Sequence, residues 1–295
     1  MHKRRPGVRA LIQGSLAWAL SPHFNQPSRG PYHLTGYDAW LFFLAQSWKS
    51  LPCRKVGSSN GLNCYQISDL RFFWPENASV NALSYIYDEV FMQDRFNPHA
   101  YEWGPVRIRP GDWVIDAGAC EGFFAVFALE RRARVCLVEP VPELAVALRL
   151  SMAQYAAFQT VVVPGLLGRS SGQAVIAKNP DHLSTTTVSD TLDGEQVDAW
   201  ALDDLVASGR LPRLDYLKSD VEGGELDVLV GATQAILNFK PRIALAVYHS
   251  EDQANEILEY CRLNFPEYRW HWRGMYTWDD CIPRPYMLYG WPPRV

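Results

Sequence analysis

From about residue 105 onward, short apolar runs alternate with segments of helical spacing, and this alternation constrains the fold more than any other feature of the chain. WVIDAG (113–118), RVCLVEP (134–140), TVVVPGLLG (160–168), LDYLKSDVEG (214–223) and RIALAVYH (242–249) read as strands. FFAVFALERR (123–132), PELAVALRLSMAQYA (142–156), ALDDLVASG (201–209), ELDVLVGATQAILNF (225–239) and SEDQANEILEYCRLNF (250–265) read as helices, the last with Ser250 as its N-cap. Strands that are apolar throughout are buried on both faces, so helices must cover the sheet on both sides and its strands run parallel. The closing strands YRWHWRG (268–274) and YMLYGWP (286–292) have no helix between them and should form an antiparallel hairpin at one edge. Residues 173–200 interrupt the pattern as an insert of hairpin character.

Residues 1–104 form an α+β extension or cap, with the main domain at 105–295. YDAWLFFLAQSWKSL (37–51) carries apolar residues at helical spacing, a face that packs on the main domain or, alternatively, makes a homodimer contact. GLNCYQISDLRFFW (61–74) reads as a hairpin turning at Ser68-Asp69, and SVNALSYIYDEVFMQD (79–94) as a helix. The N-terminal MHKRRPGVRALIQGSLAWALSP resembles a poor signal peptide, with no clear cleavage site. No stretch approaches the ~18 apolar residues of a membrane span. Six scattered cysteines without a CxxC pair read as free thiols in a reducing, cytoplasmic compartment.

Several strand ends carry acids. Asp116 closes the first strand, Glu139 the second, Asp220 and Glu222 a later one, and His249 the strand after that. In such sheets ligands bind beyond the carboxyl ends of the strands. A carboxylate at the tip of a buried strand is costly unless something meets it, which makes Asp116 the first puzzle. Gly118 and Gly122 let the backbone turn tightly beside a ligand ahead of a helix N-terminus. Their GxxxG spacing, Gly118-Ala119-Cys120-Glu121-Gly122, lacks the third glycine of the dinucleotide fingerprint, and no Lys or Arg stands in the loop. Glu139 follows Asp116 by 23 residues, where a carboxylate accepts both hydroxyls of a ribose. A nucleoside cofactor without phosphate, carrying a cationic centre that a carboxylate-rich rim tolerates, is S-adenosylmethionine.

VIDAGACEGFFA, LVEPVPEL, LDDL, YLKSDVEGGELDVLVGA and PRIALAVYHSEDQ, in that order, resemble the FkbM-like S-adenosylmethionine-dependent methyltransferases. The resemblance runs over roughly residues 85–292 and is most specific at KSDVEGGE (218–225). It implies a class I methyltransferase fold, with a Rossmann-like, mostly parallel seven-stranded sheet, and methylation of a hydroxyl on a sugar or natural product. It also implies that Asp116, Gly118, Cys120, Glu121, Gly122, Glu139 and Pro140 hold the cofactor, and that Asp220, Glu222 and His249 face the acceptor. The family usually has Asn where Cys120 stands.

An alcohol oxygen loses its proton as it attacks the methyl group, and a nearby base speeds that step by ~10²–10⁴-fold. His249, with an ordinary pKa near neutrality, is the first candidate and Asp220 the second. Lys218 is expected to snorkel out of the sheet and Glu225 to complement a helix dipole, while Thr185-Thr186-Thr187 should lie in a solvated loop or, alternatively, hydrogen-bond a sugar. Two carboxylates and an imidazole suit a divalent metal such as magnesium, but strict ligand spacing is lacking and no residue is assigned to a metal. The formal net charge of −4 gives no reason to expect nucleic acid, and the acceptor is expected to be a small molecule or glycan. The alternatives are an NAD(P)-dependent Rossmann oxidoreductase and a non-catalytic glycan-binding protein on the same fold. Eleven tryptophans suggest either a rich core or an aromatic ligand cleft.

Overall fold

The computed structural model describes residues 3–20, 32, 34–155, 159–179, 183–189, 194–250, 252–277 and 283–293. Ala156 and Cys281, on which expectations fell, lie outside them. The chain runs α1 (Val8–Leu20), α2 (Gly36–Gln46), β1 (Arg54–Ser59), β2 (Leu62–Ile67), β3 (Leu70–Pro75), α3 (Leu83–Phe91), β4 (Trp113–Ala117), α4 (Phe123–Leu129), β5 (Arg134–Glu139), α5 (Pro142–Met152), β6 (Thr160–Pro164) and β7 (Leu166–Leu167). It continues β8 (Gly172–Ala177), β9 (Thr187–Val188), β10 (Glu195–Trp200), α6 (Leu202–Ala207), β11 (Tyr216–Ser219), α7 (Glu225–Gly231), α8 (Thr233–Phe239), β12 (Arg242–Ala246), α9 (Gln253–Asn264), β13 (Arg269–Tyr276) and β14 (Arg284–Trp291).

The central sheet has seven strands in the order β13-β14-β12-β11-β4-β5-β6. Strands β12, β11, β4, β5 and β6 are mutually parallel; β14 lies antiparallel to both β12 and β13. This is the class I methyltransferase arrangement, with its terminal hairpin at one edge. The order reverses between β4 and β11, where crossovers leave to opposite sides and a crevice opens above the strand ends. Strands β4 and β12 are buried at every residue, including Asp116 and Arg242, as their mostly apolar sequences lead one to expect.

Two of the expected long elements are broken. The run 160–168 splits at Gly165, whose φ of +116° turns β7 away to pair with β10 in a separate four-stranded sheet, β7-β10-β8-β9. A Cβ at Gly165 would stand 2.4 Å from the Asp198 carbonyl oxygen, so a side chain there has no room. The run 225–239 forms two helices parted at Ala232, beside Gly231, whose backbone lies so close to Gly168 that a Cβ would meet its oxygen at 2.1 Å. Helix α9 starts at Gln253, three residues later than expected, with Asp252 at the N-cap position; the Ser250 hydroxyl still accepts from the Gln253 amide at 3.2 Å.

In the N-terminal segment, β1, β2 and β3 form a three-stranded antiparallel sheet, one strand more than the hairpin expected. Helix α2 packs on β13, and α1 crosses α2 where Gly14 lets its backbone meet Leu44. Phe72, Trp74, Tyr87 and Phe91 share one core with Phe123, Phe124 and Phe127 of α4. The segment therefore completes the hydrophobic layer on one face of the sheet. No described helix is long and apolar enough to cross a membrane.

Candidate active site

Lys218, on β11, meets the Asp116 carboxylate. Its Nζ stands 3.0 Å from Asp116 Oδ1 and donates to the carbonyl oxygens of Ala117 at 3.1 Å and Gly118 at 2.7 Å. Asp116 is fully buried and Lys218 is 3% exposed, so the expected snorkelling is overturned: the β11–β4 pairing places Lys218 opposite Asp116, at the wall of the cavity above the strand ends. Burial alone would raise the Asp116 carboxyl and lower the Lys218 ammonium. For Lys218, Asp116 and Asp220 reverse the effect and hold the ammonium above its ordinary value. The pair anchors the loop from beneath.

Gly118 at φ +73° passes under the Asp220 carbonyl, where a Cβ would stand 2.0 Å from that oxygen. Cys120 also adopts a left-handed φ, +44°, a conformation that the family's usual Asn tolerates well and Cys less so. Gly122 at φ +83° leads into α4 and abuts Leu148 and Met152 of α5. Glu139 Oε2 accepts from the Cys120 amide at 2.8 Å, and Oε1 accepts from the Val141 amide at 2.9 Å. Each oxygen keeps a second lone pair for a ligand hydroxyl. Burial raises the Glu139 carboxyl to about 7 despite these two amides, and it raises that of Glu121 to about 7 as well.

A cavity of about 310 Å³ lies above the strand ends. One end is formed by Gly118, Ala119, Cys120, Glu121, Glu139 and Pro140; the other by Glu89, His99, Tyr101, Asp220, Glu222 and Tyr248. Asp116 and Gly122 are absent from this lining and support it from behind. Thr185, Thr186 and Thr187 form part of the wall where β9 pairs with β8, and Thr185 and Thr187 remain exposed to solvent. The lining aromatics are tyrosines and Phe124, with no tryptophan among the described residues.

At the second end, Asp220 Oδ2 accepts from the Tyr101 hydroxyl at 2.7 Å and stands 3.4 Å from His99 Nε2. His99 Nδ1 faces Glu89 Oε1 at 3.2 Å. Burial would lower the His99 pKa, but Glu89 and Asp220 outweigh it and lift it to about 9. Glu222 sits at φ +56° beside Gly223 at φ +108°, a strained turn that directs its carboxylate to the cavity. Burial lifts the Glu222 carboxyl to about 7.

His249 stands behind this wall. Its Nε2 lies 3.5 Å from Asp220 Oδ1 and 3.6 Å from Glu222 Oε2, and its Nδ1 lies 3.4 Å from Glu225 Oε1. Against the lowering effect of burial, Glu225 and Asp220 hold the imidazole well above its ordinary pKa. The near-neutral value that recommended His249 as a base does not survive these carboxylates. Glu225, expected to serve a helix dipole, is fully buried; it accepts from the Val221 amide at 2.8 Å and from the Gln253 side chain. The sequence reading missed Glu89, His99, Tyr101 and Tyr248. The first three lie ahead of the strand–helix alternation that starts near residue 105, while Tyr248 adjoined His249 without any polar pattern to mark it.

A sequence model of the methyltransferase FkbM domain matches residues 116–268, more than half of the chain. The chain belongs to this family. Residues 116–268 thus form a methyltransferase FkbM domain. Among curated proteins, the AMB antimetabolite synthetase AmbE of Pseudomonas aeruginosa is 24% identical over 220 residues, 60% of this chain and 10% of AmbE. The chain thus spans about a tenth of the length of that relative. Among solved structures, the methyltransferase FkbM from Methylobacillus flagellatus KT is 20% identical, covering 64% of this chain and 45% of its own, with a TM-score of 0.49. The precorrin-6y C5,15-methyltransferase from Geobacter metallireducens GS-15 is 17% identical, covering 63% of this chain and 83% of its own, with a TM-score of 0.39.

Proposed function

We propose that this FkbM-family chain binds S-adenosylmethionine and transfers its methyl group to a hydroxyl oxygen of a small sugar-like or natural-product acceptor. The observation that carries this reading is the single cavity with two unlike ends. The end at Gly118–Glu121 and Glu139–Pro140 suits a nucleoside: close backbone, an acidic ribose acceptor, and a single lysine, Lys218, already paired with Asp116. The other end offers carboxylates and phenols beside the position the activated methyl would take. Methyl transfer is an in-line displacement in which the oxygen–carbon bond forms as the carbon–sulfur bond breaks. The enzyme's main task is alignment of the three atoms.

The acceptor proton must leave during attack. We assign it to Glu222, which lines the cavity and is the most open carboxylate of its cluster, its side chain 26% exposed. Asp220, tied to Tyr101 and His99, orients the acceptor, and His249 holds Asp220 and Glu222 in place from behind. Residues 1–104 act as the cap of the acceptor end, since Tyr85, Glu89, His99 and Tyr101 come from that segment. The five described cysteines are free, in keeping with a cytoplasmic protein working where the cofactor is made. The test is transfer of labelled methyl from S-adenosylmethionine to a panel of sugar and phenolic alcohols. Glu222→Gln should lower the rate ~10²–10⁴-fold with the affinity for S-adenosylhomocysteine unchanged. Equal rates in variant and wild type would remove Glu222 as the base. A label found only on nitrogen or carbon would refute oxygen transfer.

A further inference from the structure

We propose that Asp220, Glu225 and His249 form a binding site for one divalent cation of the manganese or magnesium type, at the floor of the acceptor end. These residues come from the carboxyl ends of the neighbouring strands β11 and β12 and from the first turn of α7, the crevice side of the sheet. One potential ligand atom from each lies within 4.8 Å of the others, the only such trio among the described residues. The second observation is the state of His249. Its side chain is 9% exposed, yet both ring nitrogens lack a hydrogen-bond partner. Nε2 faces Asp220 Oδ1 at 3.5 Å and Glu222 Oε2 at 3.6 Å, and Nδ1 faces Glu225 Oε1 at 3.4 Å, longer than ordinary hydrogen bonds; a bound ion would take one of the two nitrogens of the neutral ring.

Asp220 shows the same vacancy in its bonding. Oδ2 is taken by the Tyr101 hydroxyl, while Oδ1, on the His249 side, is buried without a partner. Glu225 Oε1 already accepts from the Val221 amide, which fixes the carboxylate and leaves a lone pair on the His249 side. The charges agree. Asp220, Glu222, Glu225 and Glu89 crowd the region, against the imidazoles of His99 and His249, and Lys218 is committed to Asp116. Even with both imidazoles protonated, the cluster keeps surplus negative charge, which a divalent cation offsets. Oxygen donors in the majority favour manganese or magnesium, and the single imidazole admits manganese readily. Asp220 and Glu222 line the cavity, so the cation is reached from that side, and it would hold an acceptor oxygen beside Glu222. That last role rests on the function proposed above; the cation site itself does not.

The test is titration of the chelator-treated full chain with Mn²⁺ alone, read by the loss of the free-ion electron paramagnetic resonance signal. Calorimetry with S-adenosylhomocysteine on the same preparation is the companion measurement. The proposal predicts about one ion bound per chain, with affinity at least about tenfold weaker in Asp220→Asn and in His249→Phe. Bound Mn²⁺ in the wild type should also show nitrogen modulation from one imidazole, a readout that stands even if a variant misfolds. No binding at millimolar Mn²⁺, unchanged affinity in folded variants, or bound Mn²⁺ without the nitrogen signature each overturns it. S-adenosylhomocysteine binding without Mn²⁺ binding overturns the cation site alone. Mn²⁺ binding without S-adenosylhomocysteine binding upholds the site and counts against the cofactor reading.

Discussion

Replacing Lys218 with methionine keeps the length of the side chain and removes the ammonium that meets Asp116. In the wild type the pair is 3.0 Å apart with side chains 4% and 0% exposed, so solvent screens it little. Removing one partner of such a pair leaves an uncompensated buried charge and costs about 3–5 kcal/mol. The Ala117 and Gly118 carbonyls lose a donor at the same time, which loosens the loop at the cofactor end. Urea unfolding at pH 7 should therefore show Lys218→Met destabilised by about 3–5 kcal/mol, and Asp116→Asn/Lys218→Met should recover a large part of that loss. The pH dependence has a defined sign. Burial raises the Asp116 carboxyl and Lys218 opposes the rise, so in the variant only the rise remains. A carboxyl raised in the folded state contributes stability fully below its unfolded pKa and loses it as pH rises through the folded one. The deficit of Lys218→Met should shrink as pH falls toward 4. A loss under about 1 kcal/mol, or a double variant no better than the single one, would refute the argument.

Gly118→Ala should abolish binding of S-adenosylhomocysteine, because the new Cβ would strike the Asp220 carbonyl at 2.0 Å with φ at +73°; wild-type affinity in calorimetry would contradict this. Glu139→Ala should weaken the same ligand by roughly 1.5–3 kcal/mol, the worth of a hydrogen bond to a charged group. Burial raises Glu121 to about 7, so its contribution to stability is present below about 4.5 and is lost as pH rises through about 7. Glu121→Gln should accordingly be more stable than wild type at pH 8 and similar at pH 4 by thermal unfolding. Cys120 lines the cavity, but burial and the neighbouring Glu121 and Glu139 hold its thiol well above the ordinary value. It should resist iodoacetamide at pH 7, as mass spectrometry of the alkylated chain would show.

The parallel sheet and its edge hairpin were legible because apolar runs buried on both faces cannot be anything else at that length. The rim was legible for a related reason: Asp116, Glu139, Asp220, Glu222 and His249 each interrupt or end an apolar run, where a polar residue is costly unless the site uses it. Their partners were not legible. Lys218 stands 102 residues from Asp116, and only the pairing of β11 with β4 brings them together. His249 carried its ordinary pKa in the sequence reading; the value shifts because α7 swings Glu225 against its ring. Glu89 reaches the cavity through packing of α3 on α4, and His99 and Tyr101 through the following segment, whose Ala100 and Tyr101 carbonyls accept from Tyr289 and Tyr216, contacts that no local pattern encodes. Strand β1 escaped notice because all six of its residues are exposed and RKVGSS has neither apolar alternation nor strand propensity along its length.

The central claim is that one cavity holds the cofactor at the glycine loop and the acceptor at Asp220 and Glu222. A crystal structure with S-adenosylhomocysteine tests it most directly. The account predicts ribose hydroxyls within hydrogen-bonding distance of Glu139, the adenosine beside Cys120 and Pro140, and the sulfur directed toward Asp220. Density for the ligand in the separate cavity near Asn60, Glu143 and Lys178, or in the main cavity with its ribose away from Glu139, would contradict it.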